Sequence, residues 1–201
     1  MSHFFFIVIS LLAIIGQHVS AQTVERRKRS SSREVRSVMF VTNGGPWGTW
    51  RAIDVCPYGT YAAGFSLRVE NPINGDDTAL NGIRLYCADW SRGFVSSIES
   101  DTGYWGDWTD VKWCFNGYLK AFQLRVESRK GKGDDTAANN IRFWCSDGSW
   151  LEGDGTSWGD WGDWSQTCWG KGICGLSTRI EEKQGKGDDT ALNDVHMYCC
   201  D

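Results

Sequence analysis

Paired carboxylates are the groups in this chain whose type and spacing could support catalysis. Glycosidases place one protonated and one ionised carboxyl group about 5–9.5 Å apart across a sugar bond. A Gly-Asp-Asp-Thr-Ala sequence occurs three times, with Asp76, Asp134 and Asp188 as its first aspartates. Neighbouring strand residues point to opposite faces, however, and Asp is a typical turn residue. We favour the turn, because three identical copies suit a scaffold better than one asymmetric catalytic centre.

Glutamates form a second repeated set, at Glu70, Glu127 and Glu181. Each follows an arginine by two positions on the polar side of a predicted strand. One interpretation is exposed pairing with Arg84 and Arg142 of the neighbouring strand, each pair contributing less than about 1 kcal/mol. The other is that one glutamate from each copy converges near a symmetry axis and lines a cleft. The sequence leaves both interpretations open.

Tryptophans are the third set, with 12 in the chain. A Trp ring stacks well on a sugar ring, but a W-G-x-W motif occurs once per copy, at 47–50, 105–108 and 161–164, which indicates sheet anchors. Trp158 lies outside those motifs, in the least regular copy, where Cys168 follows the last motif Trp by four positions rather than six. We therefore predict that Trp158 contacts a ligand.

These sets belong to an internal repeat whose Gly-Asp-Asp-Thr segments are spaced by 58 and then 54 residues. Each copy holds about four short runs of alternating apolar and polar residues, bounded by Gly, Asn and Asp, which predicts strands rather than helices. Three four-stranded units are too few to close a propeller. The chain is therefore predicted to be all-β, with three four-stranded sheets forming a prism. The copies cover about residues 38–88, 93–146 and 149–200.

The eight cysteines follow the same repeat, because three pairs are each separated by 31 residues. Strand alternation directs the repeated cysteines to the core, so Cys200 must face outward, and Cys174 is its only remaining partner. A bridge over such a loop contributes about 3–4 kcal/mol in the chain-entropy model. The predicted disulfides are Cys56–Cys87, Cys114–Cys145, Cys168–Cys199 and Cys174–Cys200.

The N-terminal segment indicates export. Residues 1–21 contain an apolar run followed by small residues, as in a signal peptide, and residues 22–37 form a basic, Ser-rich leader. That leader is either a propeptide cut after Arg29 or a solvated arm. Residues 38–201 are predicted to form a single secreted, extracellular domain, in which disulfides are expected.

Net charge and histidine content limit the classes of partner and ligand that the domain is expected to bind. Residues 1–37 hold six of the 21 Lys and Arg residues and two of the 25 Asp and Glu residues, which leaves 15 basic and 23 acidic residues and a net charge of −8. This argues against nucleic acid and anionic membrane as partners and favours cationic proteins or neutral ligands. His196 is the only histidine of the domain and is predicted to be a surface substitution, so neither a metal site nor a cofactor is expected.

Taken together, the three ordered motif sets and the terminal Cys-Cys resemble the vitelline membrane outer layer protein family over about residues 38–201. The resemblance implies a β-prism of three Greek-key sheets with pseudo-threefold symmetry. It also implies a structural or binding role in an extracellular coat such as the egg envelope, with glycans or cationic lysozyme-like proteins as partners. The alternative that it implies is a transferase or hydrolase acting on N-acetylchito-oligosaccharides.

Overall fold

The computed structural model describes residues 33–71, 78–128, 138–183 and 191–201. These residues form strands joined by turns and loops, and among them no helix could span a membrane. The strands are β1 (Ser37–Met39), β2 (Thr49–Trp50), β3 (Asp54–Val55), β4 (Tyr61–Val69), β5 (Leu80–Asp89), β6 (Gly93–Glu99), β7 (Asp107–Trp108), β8 (Lys112–Trp113), β9 (Leu119–Val126), β10 (Ala138–Cys145), β11 (Trp150–Glu152), β12 (Asp160–Trp161), β13 (Gly172–Ile180) and β14 (Leu192–Cys200).

Three antiparallel sheets make up the fold. Sheet A has the order β1-β14-β13-β2, sheet B the order β6-β5-β4-β7, and sheet C the order β11-β10-β9-β12. The short strands β3 and β8 lie beside β13 and β4, on the same edges as β2 and β7, so each sheet has four strand positions. In sheets B and C the fourth strand returns beside the first, which is a Greek key. The predicted all-β prism of three four-stranded sheets is confirmed.

The sheets do not coincide with the sequence copies. The W-G-x-W strand of each copy pairs with the long strand of the preceding copy: β7 pairs with β4, β12 with β9, and β2 with β13. The N-terminal strands β1, β2 and β3 therefore complete the C-terminal sheet. This exchange ties every sheet to two copies and closes the prism.

The core lies between the three sheets, where β4, β9 and β13 contact one another. Alternation places Ile83, Leu85 and Cys87 of β5 in this core, while Arg84 lies on the outer face. Phe65 and Phe143, from sheets B and C, meet with ring centroids 4.7 Å apart. One shared apolar core thus holds the sheets together.

Disulfides join the sheets in a cycle. Cys56 follows β3 of sheet A and is bonded to Cys87 of sheet B, and Cys114 follows β8 of sheet B and is bonded to Cys145 of sheet C. Cys168, whose amide donates to Lys120 O of β9, is bonded to Cys199 of sheet A. The fourth bridge, Cys174–Cys200, links β13 and β14 within sheet A. Each pair that the repeat predicts is a disulfide in the structure.

Candidate functional site

The glycine of the W-G-x-W motif identifies the equivalent residues in the three copies. Gly48, Gly106 and Gly159 have φ values of 79°, 81° and 73°. Each precedes the two-residue strand that pairs with a long strand. The third motif is therefore Trp158-Gly159-Asp160-Trp161, and its assignment to residues 161–164 was wrong. The two tetrapeptides overlap, and only strand pairing distinguishes them.

Trp158 is the first tryptophan of the third motif. It is half-buried and is the counterpart of Trp47 and Trp105, so it belongs to the repeated set and does not break the symmetry. Its contact with a ligand stays a prediction.

The arginines of the long strands hold this motif. Arg68 Nε donates to Gly106 O at 3.0 Å, Arg125 Nε to Gly159 O at 2.9 Å, and Arg179 Nε to Gly48 O at 3.2 Å. Arginine has five donors in a fixed fork, which suits several backbone carbonyls at once. Arg68 also donates to the carbonyls of Gly103 and Tyr104. These arginines are structural.

A cation or an imidazole stacks on the second Trp of each motif. Arg84 Cζ lies 4.0 Å from the Trp108 ring centroid and Arg142 Cζ lies 3.7 Å from that of Trp161. His196 takes this place on Trp50, with ring centroids 3.8 Å apart, and burial lowers the pKa of its imidazole. Rather than a simple surface substitution, His196 is a half-buried stacking residue.

The predicted pairing of Arg84 and Arg142 with Glu70 and Glu127 is wrong. Arg84 binds Glu99 at 2.7 Å and Arg142 binds Glu152 at 3.8 Å, both on the next strand of the same sheet. Charged groups directly opposite each other on paired strands are the nearest partners. The prediction placed the arginines opposite the wrong neighbouring strand.

Glu70 supports the Thr-Ala-x-Asn part of the repeated turn. Its Oε2 accepts hydrogen bonds from Thr78 Oγ1 at 2.6 Å and from Thr78 N at 3.1 Å. Ala79 has a φ of 51°, and its carbonyl accepts from the Glu70 amide and from Asn81 Nδ2. A left-handed alanine is strained, so these bonds hold the turn in place.

The remaining predicted carboxylates are two glutamates and three aspartates. Glu181 lies after β13 and lines a small cleft with Thr78 and Lys183, while Glu127 is half-buried at the end of β9. Asp76, Asp134 and Asp188 lie outside the described residues.

The third copy differs from the other two at the seam between sheets A and B. Thr178 stands where the other long strands have Leu67 and Leu124, and all three side chains are fully buried. Thr178 Oγ1 lies 2.6 Å from Ser100 Oγ and donates to Asp101 O at 3.0 Å. A buried polar pair therefore replaces apolar packing at this seam, and its hydroxyls are satisfied.

A groove of about 490 Å³ opens on this seam. Arg51 in its wall binds Glu182 at 2.9 Å, while Asp101 and Tyr104 are exposed. The groove is lined by Arg51, Glu99, Asp101, Thr102, Tyr104 and Glu182, among others. Carboxylates and a phenol can accept and donate hydrogen bonds to hydroxyl groups, and the Tyr104 ring, 68% exposed, can stack.

Sequence reasoning missed this groove. The signal in the sequence was Thr178, a polar residue at the position where the other two copies have Leu67 and Leu124.

Comparison with known proteins identifies the family. The family model described as vitelline membrane outer layer protein I matches residues 37–201. The chain belongs to this family. It is 56% identical over 168 residues to the human vitelline membrane outer layer protein 1 homolog, covering 82% of this chain and 83% of the relative. The mouse homolog is 52% identical over the same length, with the same coverage.

Solved structures show that the family fold is shared with β-prism lectins. Calystegia sepium agglutinin matches with a TM-score of 0.52 at 11% identity, over 83% of this chain and 97% of that chain. Frutapin, a lectin from Artocarpus incisa, matches with a TM-score of 0.50 at 13% identity, over 85% of this chain and 99% of that chain. At such identities the likeness establishes the fold alone. Family membership together with four disulfides indicates an extracellular protein.

Within this member of the vitelline membrane outer layer family, no three His, Cys, Asp or Glu side chains of the described residues are grouped to hold a metal ion.

Asp194 is a half-buried carboxylate whose pKa is raised. Burial raises the pKa of Asp194 to about 6, although its bond from the Val195 amide and the charge of Arg179 oppose the shift. Asn140 is its counterpart in the second copy, where Oδ1 accepts from the Ile141 amide and Nδ2 donates to Gly153 O.

Asp194→Asn is expected to stabilise the fold above pH 6. The pKa of Asp194 is higher in the native state than its unfolded value of about 3.9, so the native protein has its full stability below pH 4. That stability falls as the pH rises through 6 and the half-buried carboxyl group ionises, and an asparagine, which cannot ionise, avoids this loss. After allowance for solvent screening, the gain at pH 7.5 should be about 1 kcal/mol, or 2–4 °C in Tm. Thermal unfolding between pH 4 and 8 measures it. Asn140→Asp is the reciprocal control and should destabilise only at the higher pH, whereas an unchanged pH slope in Asp194→Asn would refute the assignment.

Proposed function

We propose that this protein is a component of an extracellular coat and binds neutral glycans in the groove between sheets A and B. The observation that carries the proposal is the groove itself, which combines an exposed tyrosine ring with carboxylates on a rigid seam. Lectin-like sites stack an aromatic ring on a sugar and bind its hydroxyls with a few fixed polar groups. The fold supports this reading, since a β-prism neighbour with a TM-score of 0.52 was solved in complex with a biantennary N-glycan.

The charge of the groove selects among glycans. Glu99, Asp101 and Glu182 line the groove together with Arg51, and ion pairs with Arg84 and Arg51 neutralise Glu99 and Glu182. Asp101 leaves the groove acidic, so sialylated or sulfated glycans are repelled. Neutral N-acetylglucosamine oligomers therefore fit better than anionic chains. The net charge of −8 over residues 38–201 also favours cationic coat proteins as partners, bound at other faces.

Tyr104→Ala is expected to weaken binding of neutral N-acetylglucosamine oligomers by about fivefold to tenfold, because the stacking face is lost. Asp101→Asn should keep the hydrogen bonds and admit sialylated glycans that the native protein rejects. Glycan arrays followed by calorimetry measure both effects. Trp150→Ala, on the outer face of sheet C, is the matched control and should bind as the native protein does.

Two results would contradict this proposal. One is native protein that binds no neutral glycan, and the other is a Tyr104→Ala variant with native affinity. Incubation with N-acetylglucosamine hexamers adds a further readout, since shorter or longer products would indicate an enzyme. Trp158→Ala, measured in the same series, tests the separate prediction that Trp158 contacts the ligand.

A further inference from the structure

Three loops present aromatic side chains that are almost fully exposed. Tyr58, Phe115 and Trp169 are 85%, 93% and 82% exposed, more than any other large hydrophobic residue of the described chain. Each lies one or two residues after the first cysteine of its copy, at Cys56, Cys114 or Cys168. These three residues are called the tip aromatics. Exposure of one large ring is common, but its repetition at one place in all three copies is not explained by folding.

The tip aromatics lie at one end of the prism. Their loops lead directly into β4, β9 and β13, and these three strands contact one another in the core. The rings of Tyr61 and Tyr118 are 5.0 Å apart, and a Cβ atom at Gly172 would lie 2.7 Å from the Tyr118 Cβ and 3.4 Å from the Tyr61 Cβ. The three tips therefore surround a packed centre on a single face.

Each tip loop is held rigidly. The disulfides anchor all three at their bases. Thr60 donates from both its amide and its hydroxyl to Pro57 O, and the Asn116 amide donates to Asp147 Oδ2. Lys120 Nζ donates to Gly170 O at 2.6 Å, beside the third tip. Rings displayed on such loops lose little conformational freedom when they bind, which favours affinity.

The chemistry of the tips points to an apolar, neutral partner. Residues 56–60 and 114–118 contain no charged side chain, in a chain of which 23% is charged, and the third tip carries one charge, Lys171, whose Nζ lies 5.9 Å from the centroid of the Tyr61 ring. The ring of Tyr58 is flanked by Pro57 and Gly59, and the Thr60 hydroxyl already donates to Pro57 O. The first tip thus lacks the fixed polar side chains that a sugar needs beside the ring. What the three tips share is only the exposed ring.

We propose that this end of the prism docks on a zwitterionic phospholipid surface, with the tip aromatics inserted at the headgroup level. Aromatic side chains favour the boundary between headgroups and acyl chains. Three rings on one rigid face engage a flat surface together, so each insertion raises the effective concentration of the next. The acidic body, at −8 over residues 38–201, is repelled by anionic lipid and lies away from the membrane.

Co-sedimentation of the full secreted chain with phosphatidylcholine vesicles tests this docking. The native protein should bind, and Tyr58→Ser, Phe115→Ser and Trp169→Ser should each lower the partition coefficient by about fivefold to tenfold, with the triple variant unbound. Adding phosphatidylserine to the vesicles should weaken binding at low salt. Spin-labelled lipid should quench the fluorescence of the native protein more strongly than that of Trp169→Phe.

The matched control removes three exposed large hydrophobic residues that belong neither to the tips nor to the groove, in a Phe40→Ser, Ile53→Ser and Trp150→Ser variant. It should bind vesicles as the native protein does. Equal loss of binding in this variant would show general stickiness and overturn the proposal. Failure of the native protein to bind phosphatidylcholine would also overturn it, and retention of glycan affinity by the triple tip variant keeps this outcome separate from that of the groove.

Discussion

Removal of the Cys114–Cys145 disulfide by a double alanine substitution is expected to lower the free energy of unfolding by about 4 kcal/mol. The bridge closes a loop of 31 residues, and the chain-entropy model assigns nearly all of that figure to freedom gained by the unfolded chain. The bridge also clamps sheet B to sheet C, so the native seam should loosen as well. Urea denaturation gives the free energy, and hydrogen exchange at β8 and β10 reports the seam.

The fourth disulfide supplies the control for this prediction. Cys174–Cys200 closes a loop of 26 residues, so its entropic contribution is nearly the same, but it joins paired strands of one sheet. Removing it should cost about 3.5 kcal/mol and leave exchange at the seam between sheets B and C unchanged. A loss below about 1 kcal/mol for the Cys114–Cys145 pair would show that the seams hold without their bridges.

Gly106→Ala is expected to destabilise the protein by at least about 3 kcal/mol. An added Cβ atom would lie 2.2 Å from the carbonyl carbon and oxygen of Val69, which are backbone atoms of the central strand β4 and cannot move aside. The left-handed backbone at φ 81° adds a further cost of about 1–2 kcal/mol. Overpacking against fixed atoms typically costs several kcal/mol in total. Thermal and urea unfolding measure the loss.

Gly93→Ala separates the two causes. Gly93 has a φ of 78°, nearly that of Gly106, but an added Cβ there would meet no atom within 4 Å. It should cost about 1 kcal/mol, from backbone strain alone. Equal losses in both variants would mean that the close approach of the W-G-x-W loop to β4 contributes nothing.

The sequence alone determined the architecture because the features that specify it, strand alternation and cysteine spacing, are local and occur in every copy. Alternation of apolar residues shows which face of β5 is buried, and the 31-residue spacing pairs Cys56 with Cys87 without any knowledge of the sheets. Repetition also marked the Asp, Glu and Trp sets as scaffold, and the bonds of Glu70 to Thr78 agree with that reading.

Tertiary structure decided everything that depends on which strands become neighbours. Two overlapping W-G-x-W tetrapeptides satisfy the motif in the third copy, and only the pairing of β12 with β9 selects residues 158–161. The partners of Arg84 and Arg142 depend in the same way on the strand that lies opposite. The groove joins Arg51, Tyr104 and Glu182, which are far apart in the chain and meet because the N-terminal strands close the C-terminal sheet. Such closure is a property of the whole fold, since no local pattern states which edge completes which sheet.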